Sequence, residues 1–329
     1  MAWFVLRRLA LSVPLVVGVA TLVFALLETA PGSPTDLILG DRPLPQEVRR
    51  QVERAYGLDR PAHERYARWV GALLVRGDLG WSISRSRPVA EVLARALPAT
   101  LVLTTAALGI HVLLGVTLGI VSATRRGRWP DRIVTLCSLT LYAMPPFWLG
   151  LMAILGLAFL VPLFPASSMQ SVGAEQWGAA RRFADLLWHL ALPAGVLAVS
   201  SAAAMTRFVR AGLIESMGQE FVRAARARGV GGQRVVLAHA LRGSLGPVVN
   251  LIGLSLPVLV SGSLVIEIVF AWPGMGRLTY DAIMAKDLPV VLATTTISAF
   301  VVVLGSLIAD LALAALDPRV RLGGGRAAP

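Results

Sequence analysis

Long apolar runs separated by polar connectors dominate this chain. About 20 residues are needed to cross a hydrocarbon core of roughly 30 Å. The stretches that reach that length are Leu9–Leu27, Leu97–Val121, Ile133–Val161, Leu187–Val209, Leu245–Phe270 and Leu288–Leu311. A backbone in lipid must satisfy its own N–H and C=O groups, so each run predicts a helix. The fold class is therefore an all-α integral membrane protein with about six transmembrane helices. The two-residue alternation of a membrane barrel is absent. This pattern divides the chain into a first transmembrane helix (1–27), a large extracytoplasmic loop (28–96), a five-helix core (97–316) and a cytoplasmic tail (317–329).

The connectors carry their own signals. Thr29-Ala-Pro-Gly-Ser-Pro34 is a turn-forming exit from the first span. Pro45–Tyr56 has helical spacing, with Gly57 as its C-cap. A second short helix starts near Pro61 and places Tyr66, Trp69, Val70 and Leu73 on one face. That face suits either a cap packed on the bundle or a landing site for an external partner. Pro145 and Pro146 remove consecutive backbone donors, so the third run should kink or break near Met144 while counting as one bent span; a gating role is the alternative. Ile214–Arg228 reads as helix, Gly229-Val-Gly-Gly232 stops it, and a second helical stretch runs through Arg242. Residues 213–244 thus form a helix–turn–helix between apolar runs. In the last outer loop, Trp272 beside Pro273 and Gly274 suits an interfacial anchor.

Composition agrees: 56% of residues are hydrophobic and only 15% charged, against about 25% charged in soluble domains. The basic excess, a formal +12, could suggest nucleic acid, but its placement argues against that partner. With the N-terminus in the cytoplasm, the inner segments hold roughly +11 of it, the positive-inside signal of a multi-pass protein with both termini cytoplasmic. Arg7-Arg8 before an apolar run resembles a secretory leader, yet the run is long and no small-x-small site follows, so an uncleaved span is expected. Cys137, the only cysteine, excludes a disulfide within the chain.

Catalytic chemistry is thin. The single lysine, Lys286, lies outside any Gly-x-x-x-x-Gly-Lys loop, so the chain has no phosphate loop of its own. His63-Glu64 lacks the second histidine of a zincin helix, and His111 and Cys137 are too isolated for a metal site. No catalytic, cofactor-binding or metal-ligating residue is expected. Intramembrane ionisable groups are costly, which singles out Glu267 and His111. Glu267 suits a pathway or a structural role, His111 a hydrogen-bonded packing role.

These motifs, in their order, resemble the permease subunits of bacterial ATP-binding-cassette importers of the dipeptide/oligopeptide/nickel class. The resemblance rests on Thr29-Ala-Pro-Gly-Ser-Pro34, Gly77-Asp-Leu-Gly-Trp-Ser82, Arg87-Pro-Val89, Leu97-Pro-Ala-Thr-Leu101 and Met144-Pro-Pro-Phe-Trp-Leu-Gly150. It continues in Arg223-Ala-Ala-Arg-Ala-Arg-Gly229, His239-Ala-Leu-Arg242, Val265 through Arg277, and Leu316-Asp-Pro-Arg-Val-Arg321. It implies that Arg223, Ala224, Ala225, Gly229, Gly231 and Gly232 lie in the EAA loop, which docks into a separate ATPase. Arg223 stands where the general motif has Glu, so no docking carboxylate is implied there; Ser33 stands where the family often has Asp. The implied partners are a second permease, two ATPase subunits that bind the ATP, an extracytoplasmic solute-binding protein and membrane lipid, in the bacterial cytoplasmic membrane. Alternating access is the implied mechanism, with Glu267, Pro145 and Pro146 as possible translocation or gating residues. Peptides are the leading cargo, with nickel chelates, glutathione or glycosides as family alternatives. Outside the family, an ion-coupled secondary transporter would need mid-membrane acids and inverted repeats that the chain lacks.

Overall fold

The computed structural model describes residues 2–29, 47, 54, 59–241, 252, 255 and 263–316. Helices α1 (Ala2–Thr29), α2 (Ala62–Arg76), α3 (Val89–Thr124) and α4 (Trp129–Ala143) come first, with a minimal hairpin of β1 (Trp81–Ser82) and β2 (Arg87–Pro88) before α3. Then follow α5 (Pro146–Ile154), α6 (Ala179–Met217) and α7 (Glu220–Ala227). After a short turn at Gly232–Arg234 and helical residues 263–269, α8 (Met275–Met284) and α9 (Leu288–Leu316) complete the order. The expected helix at 45–56 and most of the run 245–270 lie outside the described residues.

Four helices are long and apolar enough to cross a membrane: α1 from Val5, α3, α6 and α9 to Ile308. Between α4 and α5 the chain bends by 104°. Met144, preceding a proline, takes an extended conformation, Pro145 is the N-cap of α5 and Pro146 its first residue. The break expected at the proline pair is present. The 15 residues of α4 span only about 22 Å, so neither arm crosses a 30 Å core alone.

The chain divides into two compact units. One contains residues 5–100 and 273–303. Its core places Val89, Val92, Leu93 and Ala96 of α3, at helical spacing, against Met275, Leu278 and Ala282 of α8 and Val290, Val291 and Ala293 of α9. The Thr100 hydroxyl accepts the Met275 N–H at 2.7 Å and so satisfies an orphan donor at the start of α8. Buried Asp287 ties the hairpin down, accepting Ser82 Oγ at 2.6 Å, Ser84 N at 2.9 Å and Ser84 Oγ at 2.7 Å on one carboxylate oxygen. Helix α2 begins after Pro61, ends at left-handed Gly77, and packs Tyr66 on α1. Its ring lies 5.0 Å from Phe24 and its hydroxyl 2.6 Å from Thr21 Oγ1. The packed-cap alternative is the one with contacts to support it.

The other unit contains residues 1–4, 101–272 and 304–329. Here α3 and α6 approach closely at Gly115 and Gly119, a Gly-x-x-x-Gly pair on one helix face. A β-carbon on Gly119 would stand 2.6 Å from Val209 Cβ and 3.0 Å from the Thr206 carbonyl oxygen; one on Gly115 would overlap Met205. Trp272 is fully buried within the protein, which corrects its reading as an interfacial anchor. The turn at Ala271–Trp272 folds back, with the Trp272 N–H on the Glu267 carbonyl at 2.8 Å, and draws the indole inward.

Gly119→Ala should lower stability by about 1–3 kcal/mol through overpacking, read from denaturant unfolding in detergent. Gly109→Ala on the same helix, where nothing stands within 4 Å of the new methyl group, should be neutral or slightly stabilising. Equal behaviour of the two variants would remove the case for a glycine-set helix contact.

Candidate functional site: the cytoplasmic elbow

The polar insert is helical on both sides, but the expected Ile214–Arg228 helix is two helices. Helix α6 runs to Met217, Gly218 closes it through its N–H on the Glu215 carbonyl at 3.0 Å, and Gln219 is extended as the N-cap of α7. Glycine and an extended cap interrupt the propensity that sequence alone reads as continuous.

At the other end of α7 the chain turns on Gly229, whose φ is +78°. The Gly229 N–H reaches the Arg226 carbonyl at 2.9 Å and the Val230 N–H reaches the Ala225 carbonyl at 3.2 Å. This is the Schellman pattern, which needs a left-handed residue where only glycine is unstrained. Val230 and Ala225 supply the apolar contact that accompanies it. Gly231 then caps the turn Gly232–Arg234, and a π-helical turn, Val235–Ala240, follows.

The two faces of α7 are sharply different. Val222 and Ala225 are fully buried, packed with Ala123, Leu213, Val235 and Ala240. Arg223, Ala224, Gly229, Gly231 and Gly232 are exposed together on the opposite side. Of the six candidate coupling residues, Ala225 is the one turned inward; its small side chain lets α7 lie flat on the bundle. Phe221 and Leu237 add exposed apolar surface that the sequence reading did not single out. The far end of the elbow is tied back by the Ser216 hydroxyl, which donates to the Ala240 carbonyl at 2.8 Å.

A second tie was missed by sequence reasoning. Asp131, in the first turn of α4, accepts Arg210 Nε at 2.8 Å and Nη2 at 2.9 Å in a two-pronged pair. The same carboxylate accepts the Gly127 N–H at 2.8 Å and the Ser122 hydroxyl. Asp131 is buried, and about a third of the Arg210 side chain is exposed. Four donors around one carboxylate join the end of α3, the turn at Gly127 and α6, two helical turns before α6 enters the elbow. The available signal was one acid in the arginine-rich turn Arg125–Arg132.

The remaining candidates lie elsewhere. Glu267 is fully buried in the helical stretch 263–269. Pro145 and Pro146 are exposed at the break before α5, and Gly150, one turn on, lets α5 approach Val269 and Phe270. Neither feature touches the elbow. His111 is buried, with Nδ1 2.9 Å from Ser201 Oγ and Nε2 3.2 Å from Ser255 Oγ, the packing role expected of it.

Comparison with known proteins places these features in context. Residues 115–322 match the family described as binding-protein-dependent transport system inner membrane component, and residues 1–104 match its N-terminal component. The chain is 37% identical over 321 residues to an oligopeptide transport system permease protein of Bacillus subtilis, covering 97% of this chain and 99% of that one. It is 33% identical over 337 residues to a dipeptide transport system permease protein of Escherichia coli, covering 98% and 99%. Among solved structures, an inward-facing methionine ABC transporter gives a TM-score of 0.52 at 20% identity over 69% of this chain and 97% of that chain, a likeness of fold.

Asp131→Asn should lower unfolding stability by about 3 kcal/mol, the low end for a broken buried pair because Arg210 is partly exposed. Combining it with Arg210→Met should cost less than the two single changes summed, since no charge is left stranded. Strictly additive losses in denaturant unfolding followed by tryptophan fluorescence would show that the pair is not coupled.

Proposed function

Because the chain belongs to the binding-protein-dependent transport system inner membrane components, it is a permease subunit of an ABC importer, and we propose that it carries di- and oligopeptides across the bacterial cytoplasmic membrane. The observation that carries the cargo reading is the near full-length similarity to permeases named for oligopeptides and dipeptides. The energy comes from ATPase subunits outside this chain. The proposed assembly has a second permease, two ATPases on the cytoplasmic face and a solute-binding protein outside. The termini and the elbow face the cytoplasm, as the arginine distribution supports.

In this reading the ATPase docks on the exposed face of the elbow, over Arg223, Ala224, Gly229, Gly231 and Gly232. Alanine and glycine keep that face flat, so a partner can approach the backbone closely. ATP binding shifts the elbow, and α6 carries the shift into the bundle. A partner biases outward- and inward-open packings only by binding them differently. The elbow suits this: its shape is set by internal hydrogen bonds, so displacement moves it as a body.

The test is reconstitution with the cognate ATPases and solute-binding protein, followed by ATP-dependent uptake of labelled di- and oligopeptides. Absence of peptide uptake, with another solute carried, would sink the cargo reading. Gly229→Val should insert and assemble yet lose peptide-stimulated ATP turnover, because a β-branched residue resists the left-handed conformation. Gly229→Asn, which tolerates that conformation, should retain most of it. Normal turnover in the valine variant would count against docking at the elbow.

A further inference from the structure

Far along the chain from the elbow, an open cleft of about 500 Å³ is lined by Arg85, Arg87, Glu91, Arg95, Arg277 and Asp281 over a floor that includes Val92, Ala96 and Leu278. Four guanidinium groups face two carboxylates, and Arg85 lies 3.5 Å from Asp281, so the lining is cationic by two charges. Its walls are held in place. Met275 N at the start of α8 is fixed on Thr100, Asp287 clamps the turn before Arg85, and the Arg85 N–H donates to Ser82 Oγ at 3.2 Å. A preorganised wall loses little freedom when a partner binds.

The length of α3 indicates what kind of partner reaches the cleft. At 36 residues the helix is about 54 Å long, well beyond a 30 Å hydrocarbon core with headgroup layers of roughly 5–7 Å on each side. The apolar run begins at Leu97, so Arg95 sits near headgroup depth. Arg87, ten residues before Leu97 in the chain, stands on the order of 15 Å outward along the helix direction. A lipid phosphate meets only the inner edge of such a cleft, whereas a protein surface approaching from outside meets all of it.

We propose that this cleft receives acidic side chains of the extracytoplasmic solute-binding subunit. The proposal rests on the importer reading above and assigns that partner its contact surface on this chain. The arginines steer the partner in and fix its register, so affinity falls as salt rises.

The experiment measures binding of the purified solute-binding subunit to the assembled importer in nanodiscs. Arg87→Glu/Arg95→Glu should weaken binding by at least about tenfold and flatten its salt dependence, with Arg87→Lys/Arg95→Lys staying within a few-fold of the original. Should the reversal variant fail to assemble, the salt dependence of the unaltered complex still decides, and a flat dependence overturns the proposal. Unchanged affinity in the reversal variant overturns the cleft while the importer reading stands. Weakening seen only in nanodiscs containing phosphatidylglycerol, and absent in phosphatidylcholine, assigns the arginines to lipid and also overturns it. An unaltered complex that transports peptide with no binding subunit at all overturns both.

Discussion

The close approach of α3 and α6 at Gly115 and Gly119 is the contact on which the cytoplasmic half of the protein depends. Lipid tails are as apolar as leucine, so helices in a membrane gain little by hiding apolar surface from one another. What holds them is close packing, and glycine permits it by leaving room for Met205 and Val209. That contact fixes the register of the two helices, and register decides whether the Asp131–Arg210 fork can close. Above the glycines, His111 bridges Ser201 and Ser255 without a buried charge. Below them, the pairing is ionic. Neutral hydrogen bonds at depth and paired charges at the ends follow the cost of burying charge in hydrocarbon.

The elbow inherits its rigidity from this arrangement. Helix α6 is continuous from the glycine contact through Arg210 to Met217, so the helix that meets α3 is the same one that delivers the chain to α7. Ser216 then bonds across to Ala240 and closes the elbow on itself. Between them, the fork and the hydroxyl tie both sides of the Gly218–Gln219 break. The break can therefore act as a joint with limited travel, while the segments on either side keep their internal geometry.

Much of this architecture was legible in the residues, and the reasons are local. The apolar runs gave the long helices, Pro145 and Pro146 gave the break, and Gly229 gave the turn, because each effect arises within a few residues of its cause. The Asp131–Arg210 fork joins residues 79 positions apart, and no local pattern records such a distance. Both residues had been counted only toward the inner charge. Trp272 was misplaced for a related reason. A tryptophan near the end of an apolar run looks like an anchor, and only the fold-back onto Glu267 shows the indole turned inside. The Gly-x-x-x-Gly spacing was readable, but glycine in a membrane helix acquires meaning only with the facing helix.

Ala224 and Ala225 show why neighbouring small residues can serve opposite ends. Ala225 is buried against Leu213 and Val235, and Ala224 is exposed beside Arg223. A large side chain at the inner position would lift α7 off the bundle and undo the Val230–Ala225 bond that shapes the turn. At the outer position it would hold a docking partner away from the backbone. Helix α7 is thus a thin plate, eight residues long, with little flexible side chain on either side at its centre. Long side chains absorb displacement by changing rotamer, at little energy cost. Alanine has no rotamer to change. A push on the outer face of the importer's elbow therefore reaches Val222, Leur213's neighbours in the core and the end of α6 without being spent on the way.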